Sequence, residues 1–255
     1  MRDLKMRTTM NRFTASLVHL LASACVVTVV FGLVRMIWYP GRLFEAASGF
    51  NLMIILILVD LTLGPLITLI IYSPGKPSLR SDILTVVVLQ IGFLLYGVWS
   101  IYAARPVYIP FDEDRFYLIT ANEIDPEDRK KATDPAFQSL PNLGPEIVGT
   151  VLPDDQEMRE KIKFAGMVGM GIQLLPQYYV PYKQAAASIK AAAVPPEDLA
   201  KGRITTPPED VARLSDYAAK KREDGKNVRF VRLVTRKVML YVAIDEANGA
   251  VVEIL

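Results

Sequence analysis

The stretch Leu52–Ile71 holds some twenty residues with one ionisable side chain among them, Asp60. At ~1.5 Å per residue, a helix of that length crosses a hydrocarbon layer of ~30 Å. In lipid an open chain has few alternatives, because its backbone must satisfy its own hydrogen bonds. A carboxyl near the middle of such a helix costs roughly 2.5–3.5 kcal/mol on insertion scales, so its presence marks a place built for contact. Gly64 and Pro65 follow within about a turn. Pro65 has no N–H, so the carbonyl of Leu61, four residues back, is expected to lose its donor and the helix to kink.

Two further apolar runs flank this one. Phe13–Val34 carries no formal charge, with His19 and Cys25 its only titratable side chains. Its length exceeds a signal-peptide core and predicts a retained span over about 13–37, closed by the interfacial pair Trp38-Tyr39. Leu21–Cys25 is similar to a lipoprotein processing site. However, Ala22 stands where a larger aliphatic is usual and the apolar run continues past Cys25, so a small packed thiol is the expectation. The second span is expected over 50–72 and a third over 83–104, with Trp99 and Tyr102 near its far end. Arg2, Lys5, Arg7, Arg12, Lys76 and Arg80 fall on one side of three such spans, against Arg35, Arg42 and Arg105 on the other. The positive-inside rule puts the N-terminus in the cytoplasm and everything after residue 105 outside. In a double-membrane bacterium this is a multi-pass inner-membrane protein with a periplasmic C-terminal domain.

Half of the chain (51 %) is hydrophobic, yet it carries 29 basic and 27 acidic residues, which suits a membrane domain over 1–105 and a water-soluble domain over 106–255. The net charge of +2 and the lack of a long basic stripe argue against nucleic acid as a partner. One cysteine and one histidine leave neither a disulfide framework nor a multi-histidine metal site. Nucleotide-binding and zinc-protease motifs are absent from the sequence, so no cofactor and no enzymatic activity are expected. Beyond residue 105, strands are predicted at 107–111, 115–120, 147–152, 228–235, 237–244 and 251–255. Helices are predicted at 154–163 and 208–222, with a short one possible in composition at 184–196 and a Pro-rich connector at 202–208. Asn248-Gly249 signals a tight hairpin turn. The fold class expected is three transmembrane α-helices followed by an α+β domain with a mainly antiparallel sheet.

The polar residues of the spans carry the candidate chemistry. Counted from the cytoplasmic end at ~1.5 Å per residue, His19 lies about 9 Å deep, Gly64 and Gln90 about 10 Å and Asp60 about 16 Å. Asp60, Gly64 and Thr68 share one face of the second helix, and Ser16, His19 and Ser23 one face of the first. Gln90 and, nearer the other end, Tyr96 stand on the third. Three readings follow: glue between the spans, a groove for another polar transmembrane helix, or an ion path centred on Asp60. The last makes a small membrane enzyme or ion-conducting subunit the alternative function. Outside the membrane, Asp112-Glu113-Asp114 reads as a solvated turn. Tyr178, Tyr179 and Tyr182 form an aromatic patch suited to a partner or to packing.

The run Asp60-Leu-Thr-Leu-Gly64-Pro65-Leu66-Ile-Thr68-Leu69 resembles the TfpX/TfpZ family of type IV pilin accessory proteins. So do Lys76-x-x-Leu79-x-x-Asp82, Gln90, Tyr96-Gly97 and Ala104-Arg105-Pro106-Val107-Tyr108. Phe111 and Asp114-Arg115-Phe116 continue the likeness, which stops by residue 125. The resemblance implies an inner-membrane chaperone or modulator of pilus assembly and twitching motility. Its partners would be a cognate major pilin, other inner-membrane pilus components and lipid, and it supplies no catalytic residues. It implies a pilin helix with an acid at the depth of His19 and Gln90. His19, Gly64, Thr68 and Gln90, with Tyr179 on the outer domain, are then the expected pilin-binding residues. Asp60, Pro65 and Tyr96 are left as structural polar or kink positions, Asp60 bonding within the bundle.

Overall fold

The computed structural model describes residues 10–201 and 205–255. The chain forms two compact units, Met1–Met36 with Ser48–Ala103, and Ile37–Ala47 with Ala104–Leu255. Among the described residues, three helices are long and apolar enough to cross a membrane: Arg12–Trp38, Gly49–Ile71 and Leu79–Ala103. Asn11 caps the first, its Oδ1 accepting the Thr14 N–H at 2.8 Å and satisfying one of the donors that a helix start leaves open. The buried side chains concentrate on the second helix, at Met53, Leu56, Asp60, Pro65 and Thr68, because the first and third both pack chiefly on it. Gly97 lets the third come close; a Cβ there would stand 3.0 Å from Leu56 Cδ1. Cys25 is exposed on the first helix instead of packed between helices.

The second helix does break its regular winding, by a π turn over Val59–Leu63 immediately ahead of Gly64-Pro65. A π turn bonds each N–H to the carbonyl five residues back. Counted that way, the carbonyl that Pro65 leaves without a donor is that of Asp60, in place of the expected Leu61.

The second unit is built on one sheet. Its strands are β1 (Pro106–Asp112), β2 (Arg115–Tyr117), β3 (Ile119–Thr120), β4 (Glu146–Thr150), β5 (Tyr179–Pro181), β6 (Val228–Val234), β7 (Leu240–Asp245) and β8 (Val251–Ile254). They run in the order β5-β4-β1-β2-β6-β7-β8, with β3 paired to β1. The sheet is mixed, which corrects the expectation of a mainly antiparallel one: β1 lies parallel to β4, and β2 parallel to β6. Parallel neighbours need a long return path. The chain has two, the 120–145 segment and the long stretch that contains the helices Gln156–Gly166, Tyr182–Ala192 and Pro208–Glu223. The 184–196 segment is therefore largely helix. The connector foreseen at 202–208 falls partly on 202–204, outside the described residues. Asn248-Gly249 does lie between β7 and β8, with Gly249 at φ +71°, but the connection takes in 246–250 and is no two-residue turn.

Alternation along the strands covers both sheet faces. Leu240, Val242 and Ile244 of β7 enter a core with Ile109, Phe111 and Ile189, while Tyr241 and Ala243 face Leu214 and Phe230 on the other side. One contributor to the first core comes from far off in sequence. Leu43 and Ala46, on a single helical turn between the first two spans, are 2 % and 1 % exposed within it. Trp38 Nε1 donates to the Asn142 carbonyl at 3.1 Å. Residues 37–47 are thus part of the sheet domain, and a boundary at residue 105 alone leaves them out. Leu43→Ala is expected to cost the sheet domain at least about 2 kcal/mol. Denaturation in detergent, followed by Trp38 fluorescence in a Trp99→Phe background, measures it; an unchanged midpoint would show the loop to be a mere connector.

Candidate functional site

Four of the polar side chains expected to matter meet between the spans. Ser16 Oγ donates to the Pro65 carbonyl at 2.8 Å, joining the first helix to the second. His19 Nδ1 lies 2.6 Å from Thr68 Oγ1, and His19 Nε2 is hydrogen-bonded to Gln90 Oε1. Gln90 Nε2 donates to the Asp60 carbonyl at 3.3 Å, the carbonyl released by Pro65. A carbonyl only accepts, so it fixes which end of the Gln90 amide faces it. Gln90 Oε1 therefore faces His19 and accepts a hydrogen bond from its Nε2–H. In an uncharged ring, Nδ1 then accepts from the Thr68 hydroxyl. One directed chain, Thr68 to His19 to Gln90 to the Asp60 backbone, ties all three helices together with each polar group satisfied.

Gly64 sits against the same chain. A Cβ on Gly64 would stand 1.9 Å from Gln90 Nε2 and 2.5 Å from its Cδ. The close approach that this glycine permits is filled by Gln90 of the same protein. Gly64, Pro65 and Thr68 are all buried, whereas His19 and Gln90 are half-buried.

The Asp60 side chain is different. It is 5 % exposed, and among the described residues no side-chain or backbone donor bonds its carboxyl; only its main-chain carbonyl is engaged. It does not bond within the bundle as expected. Its oxygens face open cavity space in place of a donor. It borders two cavities. One, about 230 Å³, opens between the first and third helices and is lined by His19, Ala22, Ser23, Gln90, Ile91 and Leu94 among others. The other, about 340 Å³, lies between the second and third, with Leu52, Phe93, Tyr96 and Ser100. Tyr96 is 68 % exposed and its ring packs beside Trp99, centroids 6.1 Å apart; it takes no part in the polar chain. Sequence reasoning found each of these residues. The resemblance implied pilin contact for His19 and Gln90 and an intra-bundle bond for Asp60; in the structure His19 and Gln90 bond each other, and the Asp60 carboxyl has no donor among the described residues.

Tyr179 belongs to the sheet domain and not to the helical unit that holds this site. Tyr179 is 5 % exposed, packed edge-on against Tyr108 and Phe137 at centroid distances of 5.1 and 5.8 Å. Its hydroxyl donates to the Gln173 carbonyl, and burial pushes its phenol well above the usual range. It is a core residue of the domain and offers no surface. Glu113 and Asp114 are exposed in the turn between β1 and β2, and Asp114 pairs with Arg115 at 2.6 Å. Asp112 is half-buried, which raises its carboxyl, with the neighbouring Glu113 adding to the effect. Among the described residues no group of three or more His, Cys, Asp or Glu is placed to hold a metal ion.

Three proteins of Dichelobacter nodosus are similar to this chain. Fimbrial assembly protein, serogroup I, is 25 % identical over 233 residues, covering 91 % of this chain and 89 % of that protein. Fimbrial assembly protein, serogroup E1, shows the same identity and coverage. Fimbrial assembly protein, serogroups C1 and C2, is 29 % identical over 109 residues, which span 42 % of this chain and 83 % of that one. No protein-family model matches the chain, and no solved structure matches it.

Proposed function

We propose that this protein is a type IV pilus assembly factor of the bacterial inner membrane that receives the transmembrane helix of its cognate major pilin in the groove between its first and third helices. The groove carries the proposal: the first and third spans, which both pack on the second, leave between them a lipid-level slot with a buried acid at its floor. Likeness to fimbrial assembly proteins along nine-tenths of the chain supports the pilus as the setting, as does the resemblance to TfpX/TfpZ proteins around Asp60–Leu69. In this reading the N-terminus is cytoplasmic, the sheet domain is periplasmic, and the protein acts without catalysis, as a chaperone on which twitching motility depends. His19 and Gln90 line the cytoplasmic end of the groove, and Gly64 and Thr68 shape it through them.

A photo-crosslinking residue at Ile91, in membranes of the native host, tests the docking. A pilin adduct at Ile91, with none at a probe in place of buried Tyr179, is the expected result. A well-expressed protein that yields no pilin adduct at Ile91 refutes the groove as the docking site.

A further inference from the structure

We infer that the occupant of the groove is a transmembrane helix that presents a hydrogen-bond donor to the Asp60 carboxylate, so that this acid is a partner-binding residue kept unsatisfied until the partner arrives. The inference rests on the docking reading above and adds to it the chemistry of the contact. Of the other polar side chains that line the groove, His19 and Gln90 are engaged internally, and Ser23 carries only a hydroxyl. The Thr68–His19–Gln90 chain ends on the Asp60 main-chain carbonyl and bypasses the carboxyl of the same residue. Asp60 is more than nine-tenths buried and has no donor among the described residues, yet it faces a cavity of about 230 Å³ that opens between the first and third helices. That exceeds the ~150 Å³ in which a protein core accepts benzene, and so leaves room for a side chain of a passing helix. The remaining lining at this level is short or apolar: Ala22, Ser23, Val26, Ile91 and Leu94. A lipid tail fills such a slot but gives nothing to a carboxyl. Bulk water does not reach that depth. A helix with an amide, hydroxyl, amine or guanidinium there meets both requirements. The apolar wall takes its flank and Asp60 its donor, at a place where an ionisable side chain is by default functional.

The test compares wild type, Asp60→Asn and Asp60→Leu, each with a photo-crosslinking residue at Leu94, for pilin adduct in host membranes. Thermal unfolding of each protein purified without pilin is measured alongside. The expected pattern has three parts. Wild type gives the adduct; Asp60→Leu lowers it about tenfold, the scale of one interhelical hydrogen bond in lipid; Asp60→Asn, which keeps an acceptor oxygen, lowers it less than about threefold. The leucine variant is also expected to unfold at a temperature equal to or about 2–4 °C above wild type, since it relieves an unsatisfied acid. A merely structural Asp60 would do the reverse, so a lowered unfolding temperature in Asp60→Leu overturns the inference. So does an adduct that survives Asp60→Leu unchanged, which would leave the docking reading standing without this contact. Loss in Asp60→Asn as deep as in Asp60→Leu also overturns it, and points to titration or conduction at Asp60. Absence of adduct in wild type removes the docking reading and this inference with it.

Discussion

Gly149→Leu is expected to leave the sheet domain unfolded, the largest effect of any single substitution considered. Gly149 lies in β4, between Phe111 of β1 and Val180 of β5, with the helix Tyr182–Ala192 laid directly over it. A Cβ at this position would stand 2.3 Å from Ala185 Cβ and 3.1 Å from Val180 Cγ2. Neither obstacle is the end of a flexible side chain. Ala185 Cβ moves only with its backbone, so the helix has to lift from the sheet. The same helix brings Ile189 (0 % exposed) into the main core beside Val231 and Leu233. One added methyl in a close-packed core typically costs about 1–3 kcal/mol, which is the expectation for Gly149→Ala. The three further carbons of leucine have no space at all, and their cost approaches the few kcal/mol by which small domains are stable. Protease resistance of the sheet domain in detergent and the cooperativity of its unfolding measure both variants. A resistant Gly149→Leu domain with a wild-type midpoint would mean that the helix yields freely, contrary to its packing.

Gly149 was invisible in the sequence as anything more than a glycine in a strand. Its role depends on Ala185, 36 residues later in the chain, on a helix whose approach no local pattern encodes. The individual strands were legible because apolar alternation is a local property: β6 lies within the expected 228–235, and β7 overlaps the expected 237–244, starting three residues later and ending one residue beyond it. Their pairing was not legible. The sense of β2 against β6 depends on where more than a hundred intervening residues return the chain. Likewise Leu43 and Ala46 read as an ordinary connector between spans, since nothing near them in sequence says that their partners are Ile109 and Ile189.

The membrane site was read more fully, because lipid leaves polar residues few options. His19, Thr68, Gln90 and Asp60 stood out against apolar surroundings, and helical periodicity put them on facing stripes. The missing part was which of them pair off. That was decided by the π turn at Val59–Leu63. By inserting a residue into the helix ahead of Pro65, it makes Asp60 the source of the free carbonyl and draws Gln90 to the backbone. The Asp60 carboxyl is left over as a result of that register, and the register is a property of the folded helix and not of the spacing in sequence.

The same register makes Gly64 and Gln90 a coupled pair, and their double-mutant cycle carries the second large effect. Gly64→Ala is expected to destabilise the helical unit by about 1–2 kcal/mol, because the new Cβ falls 1.9 Å from Gln90 Nε2 and expels the amide from both its hydrogen bonds. Gly64→Leu should exceed that severalfold, since its branches also meet the third helix and drive the spans apart. Gln90→Ala alone loses the same two bonds and is expected to cost about 1 kcal/mol. In the double variant Gly64→Ala, Gln90→Ala, the methyl occupies the volume that the amide vacated and nothing more is lost. Its cost should therefore match the costlier single variant and fall short of the sum, a coupling of about 1 kcal/mol in equilibrium unfolding from detergent. Strictly additive costs would show that Gly64 and Gln90 do not share this space. Pilin crosslinking from Ile91 gives the cycle a functional reading as well. If the Gly64–Gln90 contact acts by holding the first and third helices at the width of the groove, both single variants should weaken the adduct together with the stability. Gly64→Leu, which spreads the helices outright, should abolish it.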